Sequence, residues 1–270
     1  MTETMDADAY LARIGYRGGR EPNAANLAAL VKAHRHAVPY ETLDLWRGRH
    51  TSLATEAIYD KIVTRGRGGY CFELNGLFAW LLRELGYSVR EYFGRWLMNE
   101  ELAVPKRRHR VVCVALEGRA NQIADVGIGM PLVMEPLGLV FDVPQTRGTQ
   151  LYRVVRDAVL GAVVEIRRRD GAWTRVFSFD TAPQLPIDFA YAHWWCETHP
   201  SSDFRRKLWV FRPCADGAMK SIATEPDPEG GEPVPTYMFT PPKGEPVKTF
   251  LRTEAALAAA LEHEFGIREI

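Results

Sequence analysis

A cysteine, a histidine and an aspartate follow one another along this chain, and the cysteine has the most informative surroundings. Cys71 comes soon after Gly68 and Gly69, and apolar residues then recur at helical spacing, at Leu74, Leu77, Phe78, Leu81, Leu82 and Leu85. This period predicts an amphipathic helix that begins near Cys71 and ends at Gly86. Because the free N–H groups and the positive dipole end of a first helical turn favour an anion, a thiol placed there loses its proton more easily. Cys71 is therefore the candidate nucleophile.

An ordinary buried cysteine is the alternative interpretation of Cys71. The two glycines before it argue against that alternative, because glycine is used where backbone must approach another group closely or adopt a positive φ. A nucleophilic cysteine also needs a base and a group that orients the base.

The candidate base is His109, just before the apolar run 111–116, which predicts a buried strand that would hold the imidazole rigidly. Asp125 ends the next short segment of strand-like sequence, 122–125. Because adjacent strands can bring such side chains together, we predict that Asp125 orients His109 and that His109 takes the proton from Cys71. Histidines and aspartates also end strands for purely structural reasons, so the prediction depends on the three residues in combination.

The remaining sequence predicts helices first, then strands, then a mixture. Short amphipathic helices are expected up to residue 88, with Asn23 as the cap of the second. Strands are expected at 89–96, 110–116, 122–125, 151–156, 159–167 and 174–179, a pattern typical of a barrel or a sandwich. Residues 193–270 are mixed; the segment 225–245 is rich in Pro, Glu and Gly and predicts a long surface loop, and Thr253 caps a final helix.

Several segments resemble the arylamine N-acetyltransferase family. The resemblance lies in residues 67–78 (RGGYCFELNGLF), the histidine before an apolar strand and residues 124–129 (ADVGIG). It continues in residues 37–44 (AVPYETLD), 198–204 (THPSSDF) and 264–267 (EFGI), so that it spans nearly the whole chain. On this resemblance Cys71, His109 and Asp125 fall on the catalytic triad of the family.

The resemblance implies an α+β fold with a thiol-protease-like Cys-His-Asp core. Its parts would be an N-terminal helical bundle over residues 1–88, a central β-barrel over 89–192 and a C-terminal α/β lid over 193–270. It also places Tyr40, Ile128 and Trp195 in the substrate pocket, although ordinary core packing would explain the first two equally well. The segment His193-Trp194-Trp195 departs from the usual Asn and Tyr of the family and would make that wall of the pocket more aromatic.

Composition and spacing exclude several other classes of protein. The formal net charge is zero, so no overall field attracts nucleic acid or a membrane. Neither a signal peptide nor a long apolar run is present, which predicts a cytoplasmic protein. The four cysteines and seven histidines show no ligand spacing, so neither a metal site nor a disulfide is expected. The Gly127-Ile128-Gly129 segment lacks the third glycine and the helix of a dinucleotide site, so NAD and FAD are not expected.

The resemblance implies acetyl-CoA as the co-substrate, and we predict that Arg108, Gly127 and Gly129 contact it. Arg108 belongs to the basic run 106–110, which adjoins the candidate base and could attract the phosphates of coenzyme A. The alternative for this run is a solvated strand entry.

The candidate triad together with the family resemblance implies an acetyl-CoA-dependent N-acetyltransferase that acts on arylamines or hydrazines by a ping-pong mechanism through a Cys71 acyl-thioester. One alternative keeps this chemistry and makes the protein an amide synthase that closes macrolactams from a carrier-bound polyketide. A cysteine hydrolase and a catalytically silent binding module are further alternatives. A homodimer is possible.

Overall fold

The N-terminal part of the chain is helical in the computed structural model, which describes residues 5–98, 105–130 and 132–268. Its elements are α1 (Ala7–Arg13), α2 (Ala24–Ala37), β1 (Tyr40–Glu41), α3 (Leu43–Trp46), α4 (Thr55–Tyr59) with a π-helical turn (Asp60–Thr64), and α5 (Cys71–Glu84). Asn23 caps α2 as predicted, since its side-chain oxygen accepts a hydrogen bond from the Asn26 N–H at 2.9 Å. The predicted bounds of α5 are also confirmed, because the helix begins at Cys71 and is followed by Gly86 with a φ of 81°.

The apolar face of α5 forms the centre of the helical part. Its buried residues pack against the other helices and against the sheet that follows, and they are Leu74, Leu77, Phe78, Leu81 and Leu82. Full burial of each such side chain contributes roughly 1.5–3 kcal/mol. This face therefore fixes α5, and with it Cys71, on the surface of the sheet.

Eight antiparallel strands form a nearly closed barrel. They are β2 (Ser88–Trp96), β3 (Arg107–Ala115), β4 (Gln122–Ile123), β5 (Leu137–Gly138), β6 (Gln145–Arg147), β7 (Gln150–Asp157), β8 (Gly161–Arg167) and β9 (Trp173–Phe179), in the order β5-β4-β3-β2-β9-β8-β7-β6. The end strands meet through the Gln145 side chain, which accepts a hydrogen bond from the Gly138 N–H at 2.8 Å and donates one to the Gly138 carbonyl at 2.7 Å.

Strand β3 is apolar on both of its faces, and the packing explains why. Val112 and Val114 pack against the helices, whereas Val111 and Cys113 point into the barrel core. A strand covered on both faces has a continuous apolar run rather than an alternating one.

The C-terminal part is a second antiparallel sheet with helices. Its strands are β10 (Trp209–Pro213), β11 (Met219–Glu225), β12 (Val234–Thr240) and β13 (Val247–Phe250), and its helices are α6 (Phe189–Thr198), α7 (Asp203–Arg206) and α8 (Glu254–Ala260). The sheet has the order β1-β10-β11-β12-β13, so the N-terminal β1 is its first strand, with Tyr40 opposite Phe211. The predicted α+β class is confirmed.

Two details differ from the sequence predictions. The loop predicted over 225–245 is wrong in part, because Val234–Thr240 is strand β12, in which a run of residues favourable to strands pairs with β11. The predicted boundary between residues 192 and 193 falls inside α6, and the division into three parts stays a prediction. Within the described ranges, no helix has the length and apolar character needed to cross a membrane.

A buried cluster of charges joins β1, α3 and α5. The Lys61 Nζ atom lies 2.7 Å from Asp44 Oδ2 and 2.8 Å from Glu73 Oε1. Arg67 Nη2 lies 2.8 Å from Glu41 Oε1 and 3.2 Å from Asp44 Oδ2. Burial would lower the pKa of Lys61, but the carboxylates of Glu73, Glu41 and Asp44 raise it above its usual value. The cluster ties the segment before Cys71 to the second sheet.

Replacing Lys61 by methionine is expected to lower the free energy of unfolding by about 3–5 kcal/mol, because buried carboxylates then lose their partner. Chemical denaturation followed by circular dichroism measures the change. Lys248→Met removes the same charge from the exposed strand β13 and should cost no more than about 1 kcal/mol. Equal stability of the two variants would contradict a structural role for the cluster.

Candidate active site

Cys71 occupies the first position of α5, where two glycines bring the preceding chain against β1. The Gly69 N–H donates to the Pro39 carbonyl at 3.3 Å, and the Glu41 N–H donates to the Gly69 carbonyl at 2.9 Å. A Cβ atom on Gly68 would lie 2.0 Å from the Pro39 carbonyl oxygen. The predicted close approach at the glycine pair is confirmed, and it sets the position from which α5 starts.

His109 and Asp125 face each other beside this helix. His109 Nε2 lies 2.5 Å from Asp125 Oδ2, which leaves the other ring nitrogen, Nδ1, for Cys71. Burial would lower the pKa of His109, but the Asp125 carboxylate and a hydrogen bond with Cys71 raise it to about 10. Burial would likewise raise the pKa of Asp125, and His109 lowers it. The three side chains therefore form one connected array.

The strand positions of these two residues differ slightly from the prediction. His109 is the third residue of β3 rather than the residue before it, because the strand extends backward through the polar Arg107 and Arg108. Asp125 lies two residues beyond the end of β4 instead of on it. Because Asp125 lies in a loop, side chains from other elements must hold it in place. Two of the residues that do so were not predicted from the sequence.

Asn75 is the first of these residues and lies one turn after Cys71 on α5. Its Nδ2 atom donates to Asp125 Oδ1 at 2.8 Å, and its Oδ1 atom accepts from the Val126 N–H at 2.9 Å. The Gly127 N–H also donates to Asp125 Oδ1 at 2.8 Å. The helix that carries the thiol therefore also holds the carboxylate, and the i, i+4 spacing from Cys71 was the available sequence signal.

Arg35 is the second residue and is buried on α2. Its Nη2 atom donates to the Met130 carbonyl at 2.5 Å, and its Nη1 atom lies 3.4 Å from the Asp125 carbonyl oxygen. Burial lowers the pKa of Arg35 to about 10, although the Asp125 carboxylate opposes this effect. Arg35 thus holds both ends of the loop 125–130, and nothing in the sequence around it indicated this role.

A cavity of about 320 Å³ opens above the thiol. Five predicted contact residues line it with the thiol and the imidazole, namely Tyr40, Arg108, Gly127, Ile128 and Gly129. The other lining residues come mostly from the end of β2 and from the C-terminal part, and they are Trp96, Met98, Met130, Asp203, Phe204, Lys207, Trp209 and Phe211. A Cβ atom on Gly129 would lie 2.5 Å from Phe211 Cδ2, and one on Gly127 would lie 2.8 Å from Cys71 Cα. Close packing therefore leaves no room for a side chain at Gly127 or Gly129.

Trp195 does not belong to the described residues that line the cavity, although it packs against the apolar cluster that contains Cys71, and its place in the substrate pocket stays a prediction. The ring stacks on His199 with centroids 4.8 Å apart, and the Lys106 Nζ atom lies 4.9 Å from the ring centroid.

The other cysteines lie in different surroundings. Burial raises the pKa of the Cys113 and Cys196 thiols, and Cys214 is half-buried near the end of β10. Cys71 alone among the four lines the cavity, together with His109. A thiol, an imidazole and a carboxylate are the groups that a cysteine-dependent acyl-transferring enzyme needs.

Comparisons with known proteins agree with this class. A family model described as N-acetyltransferase matches residues 23–268. The chain is 36% identical over 213 residues to the arylamine N-acetyltransferase of Mycolicibacterium smegmatis, and the match covers 76% of each protein. The structure of Mycobacterium marinum arylamine N-acetyltransferase matches with a TM-score of 0.85 at 33% identity, over 97% of this chain and 93% of that one. The complex of the M. marinum enzyme with CoA matches with a TM-score of 0.84 at 32% identity and the same coverage.

The chain belongs to the arylamine N-acetyltransferase family and is an acyltransferase.

Proposed function

We propose that this protein transfers an acetyl group from acetyl-CoA to an arylamine or arylhydrazine, with Cys71 as the carrier. The observation that carries the proposal is the Cys71–His109–Asp125 array at the base of a cavity with aromatic walls. The names of the relatives support the acceptor class, and the relative that was solved with CoA supports the donor.

The first half-reaction acylates the thiol. His109 accepts the Cys71 proton on Nδ1, while Nε2–H donates to Asp125 and so fixes the tautomer. The Cys71 sulfur attacks the carbonyl carbon of acetyl-CoA, and the bond from that carbon to the sulfur of coenzyme A breaks. The imidazolium then returns its proton to the departing thiolate. The backbone N–H of Cys71 and one from the loop beyond Gly127 would stabilise the oxyanion, because the Val126 and Gly127 N–H groups are already bonded to Asn75 and Asp125.

The second half-reaction transfers the acetyl group to the acceptor. The amine attacks the Cys71 thioester carbonyl, His109 accepts a proton from the amine, and the bond from the acyl carbon to the Cys71 sulfur breaks. Tyr40 and Ile128 would contact the acceptor, and Arg108, Gly127 and Gly129 would contact the donor. Phe204, Trp209 and Phe211 of the C-terminal part would act as a lid that limits access of water to the acyl-enzyme.

Cytoplasmic location and a homodimer remain predictions.

Acetyl-CoA alone is expected to acetylate the protein, because the first half-reaction needs no amine. Intact-protein and peptide mass spectrometry should show the mass of one acetyl group on Cys71, with release of one coenzyme A per active site. Double-reciprocal plots with para-anisidine should be parallel.

Other results would favour a different mechanism or a different function. Intersecting plots without an acyl-enzyme would mean direct transfer in a ternary complex. Poor acylation by acetyl-CoA and rapid acylation by a bulky carrier-like thioester would favour the amide synthase, and no reaction with either thioester would favour a hydrolase.

A further inference from the structure

Arg110 follows the candidate base on β3, and its side chain lies against the first turn of α5. Successive side chains of a strand point to opposite faces, so Arg110 faces the helices, as Val112 does, and only 5% of its side chain is exposed. Its Nη1 atom donates to the Phe72 carbonyl at 3.1 Å. The residue after His109 is therefore bonded to the residue after Cys71.

A second hydrogen bond joins the same two elements in the opposite direction. The Asn75 Nδ2 atom donates to the Arg110 carbonyl at 2.5 Å, in addition to its bond with Asp125. The strand thus donates to the helix at Phe72, and the helix donates to the strand from Asn75. Helix α5 cannot slide or rotate on β3 without breaking one of these bonds.

Apolar packing alone does not fix this register. Burial of apolar surface stabilises a contact without a preferred direction, whereas a hydrogen bond depends on distance and angle. The thiol must lie within hydrogen-bonding distance of the imidazole that accepts its proton. The bonds at Phe72 and Asn75 are therefore suited to set the distance between Cys71 and His109.

The guanidinium group of Arg110 is itself held from several sides. Its Nε atom lies 2.5 Å from Glu91 Oε2 on β2, and its Cζ atom lies 4.5 Å from the centroid of the Phe189 ring on α6. Glu91 also accepts from Arg83 Nη2 at 2.8 Å, in the last turn of α5. Because a guanidinium presents its donors in a rigid plane, its bonds to Glu91 and to the Phe72 carbonyl fix its orientation.

Gly76 leaves the space that this guanidinium occupies. A Cβ atom on Gly76 would overlap Arg110 Nη1 and would lie 3.0 Å from Arg110 Cζ. Glycine is unfavourable inside a helix compared with alanine, and Gly76 is not among the described glycines with a positive φ. The contact with Arg110 therefore explains why a glycine stands at this position of α5.

We propose that Arg110 is a positioning residue for acyl transfer, which holds the first turn of α5 where the Cys71 thiol meets the His109 imidazole. The proposal rests on the proposed function for the reaction that it serves, whereas the thiol and the imidazole are paired before any substrate binds. The competing role for Arg110 is stability alone, since its buried ion pair with Glu91 also ties β3 to β2.

Arg110→Met removes the guanidinium and keeps an unbranched side chain. Single-turnover acylation by acetyl-CoA should slow by about tenfold to a hundredfold, the scale expected when reacting groups are misplaced by about 1 Å. The acetyl-CoA concentration that gives half of the maximal rate should not change, because Arg110 is not among the described residues that line the cavity. Acylation by para-nitrophenyl acetate and alkylation of Cys71 by iodoacetamide at neutral pH should slow as well.

Gly76→Ala separates the two roles, because it keeps every charge and forces the guanidinium away from the Phe72 carbonyl. Acylation and alkylation should slow by about tenfold. Alanine is the better helix former, so the loss of stability should be smaller than in Arg110→Met. Chemical denaturation followed by circular dichroism measures the stability of both variants. A purely stabilising role for Arg110 predicts parental rates for folded Gly76→Ala.

Arg153→Met is the matched control. Arg153 is also an arginine on a barrel strand, and it pairs with Glu165 at 2.7 Å and lies with its Cζ atom 4.3 Å from the Trp173 ring centroid. It belongs to β7 rather than to the strand that carries His109. This variant should keep the parental rates of acylation and alkylation, whatever its stability.

Three results would overturn the proposal. The first is a parental acylation rate in both folded Arg110→Met and folded Gly76→Ala. The second is a loss in Arg110→Met that disappears when the rate is divided by the folded fraction, together with a parental rate in Gly76→Ala, which would assign Arg110 to stability. The third is an unchanged maximal rate with a higher half-saturating concentration of acetyl-CoA, which would assign Arg110 to donor binding.

Alkylation by iodoacetamide distinguishes failure of this proposal from failure of the proposed function. A parent that forms no acetyl-enzyme would refute the proposed function, and slower alkylation of Cys71 in both variants would still support the positioning role. A parent that forms the acetyl-enzyme, with parental acylation and alkylation in both variants, would refute the positioning role and leave the acetyltransferase function in place.

Discussion

Replacement of Cys71 by serine is expected to reduce acetyl transfer by about a millionfold, the scale seen when the nucleophile of a triad is removed. The hydroxyl group stays protonated at neutral pH and is a much weaker nucleophile than the thiolate. The smaller oxygen leaves the start of α5 and the Gly127 contact in place, so the fold should be retained. Coenzyme A release in the presence of para-anisidine measures the loss.

Cys214→Ser is the matched control for this prediction. Cys214 is half-buried and does not belong to the described residues around the cavity, so this variant should keep the parental rate. Denaturation followed by circular dichroism should give the same free energy of unfolding, within about 1 kcal/mol, for Cys71→Ser and the parent. A folded Cys71→Ser protein that turns over at the parental rate would exclude Cys71 as the nucleophile.

Asp125→Asn should lower kcat by about a thousand- to ten-thousandfold, since an amide selects the wrong imidazole tautomer. Its NH₂ group would donate to His109 Nε2, and the ring proton would then move to Nδ1, where the thiol proton must go. The asparagine Oδ1 atom still accepts from Asn75 and Gly127, so the loop should keep its position.

Removal of the carboxylate should also lower the pKa of His109 from about 10, because Asp125 is the group that raises it most. The imidazolium is then lost at a lower pH than in the parent. NMR titration of His109 measures this shift, and Asp157→Asn, on the barrel surface, is the control. A parental kcat together with an unshifted His109 titration would show that Asp125 does not act through the imidazole.

The sequence predicted a structural feature correctly where the pattern that indicates it lies in neighbouring residues. The apolar period after Cys71 predicted α5, the glycine pair predicted a close approach that the structure places at Pro39, and the apolar run 111–116 predicted a buried strand. These features place the thiol and the imidazole on rigid elements. The prediction that Cys71, His109 and Asp125 lie together therefore followed from a few strong patterns and from the family resemblance.

The sequence did not predict contacts of short elements whose partners lie far away in the chain. Strand β1 has two residues and no period, and its partner β10 begins at Trp209, so nothing local indicated that Tyr40 would lie opposite Phe211. Asn75 and Arg35 have their partners in a loop that has no regular structure. The roles of Asn75 and Arg35 are defined by the groups that they bind, and the tertiary fold decides which groups those are.

The pairing of β1 with β10 brings together two walls of the cavity that are encoded far apart in the gene. The reacting groups and the residues that hold them lie before residue 131, whereas Phe204, Lys207, Trp209 and Phe211 reach the cavity from a segment of eight codons. Point mutations in that short segment would therefore change the C-terminal wall of the cavity and leave the Cys71–His109–Asp125 array in place. A change at Tyr40 or Ile128, the proposed acceptor contacts, falls instead in the part of the gene that also encodes this array.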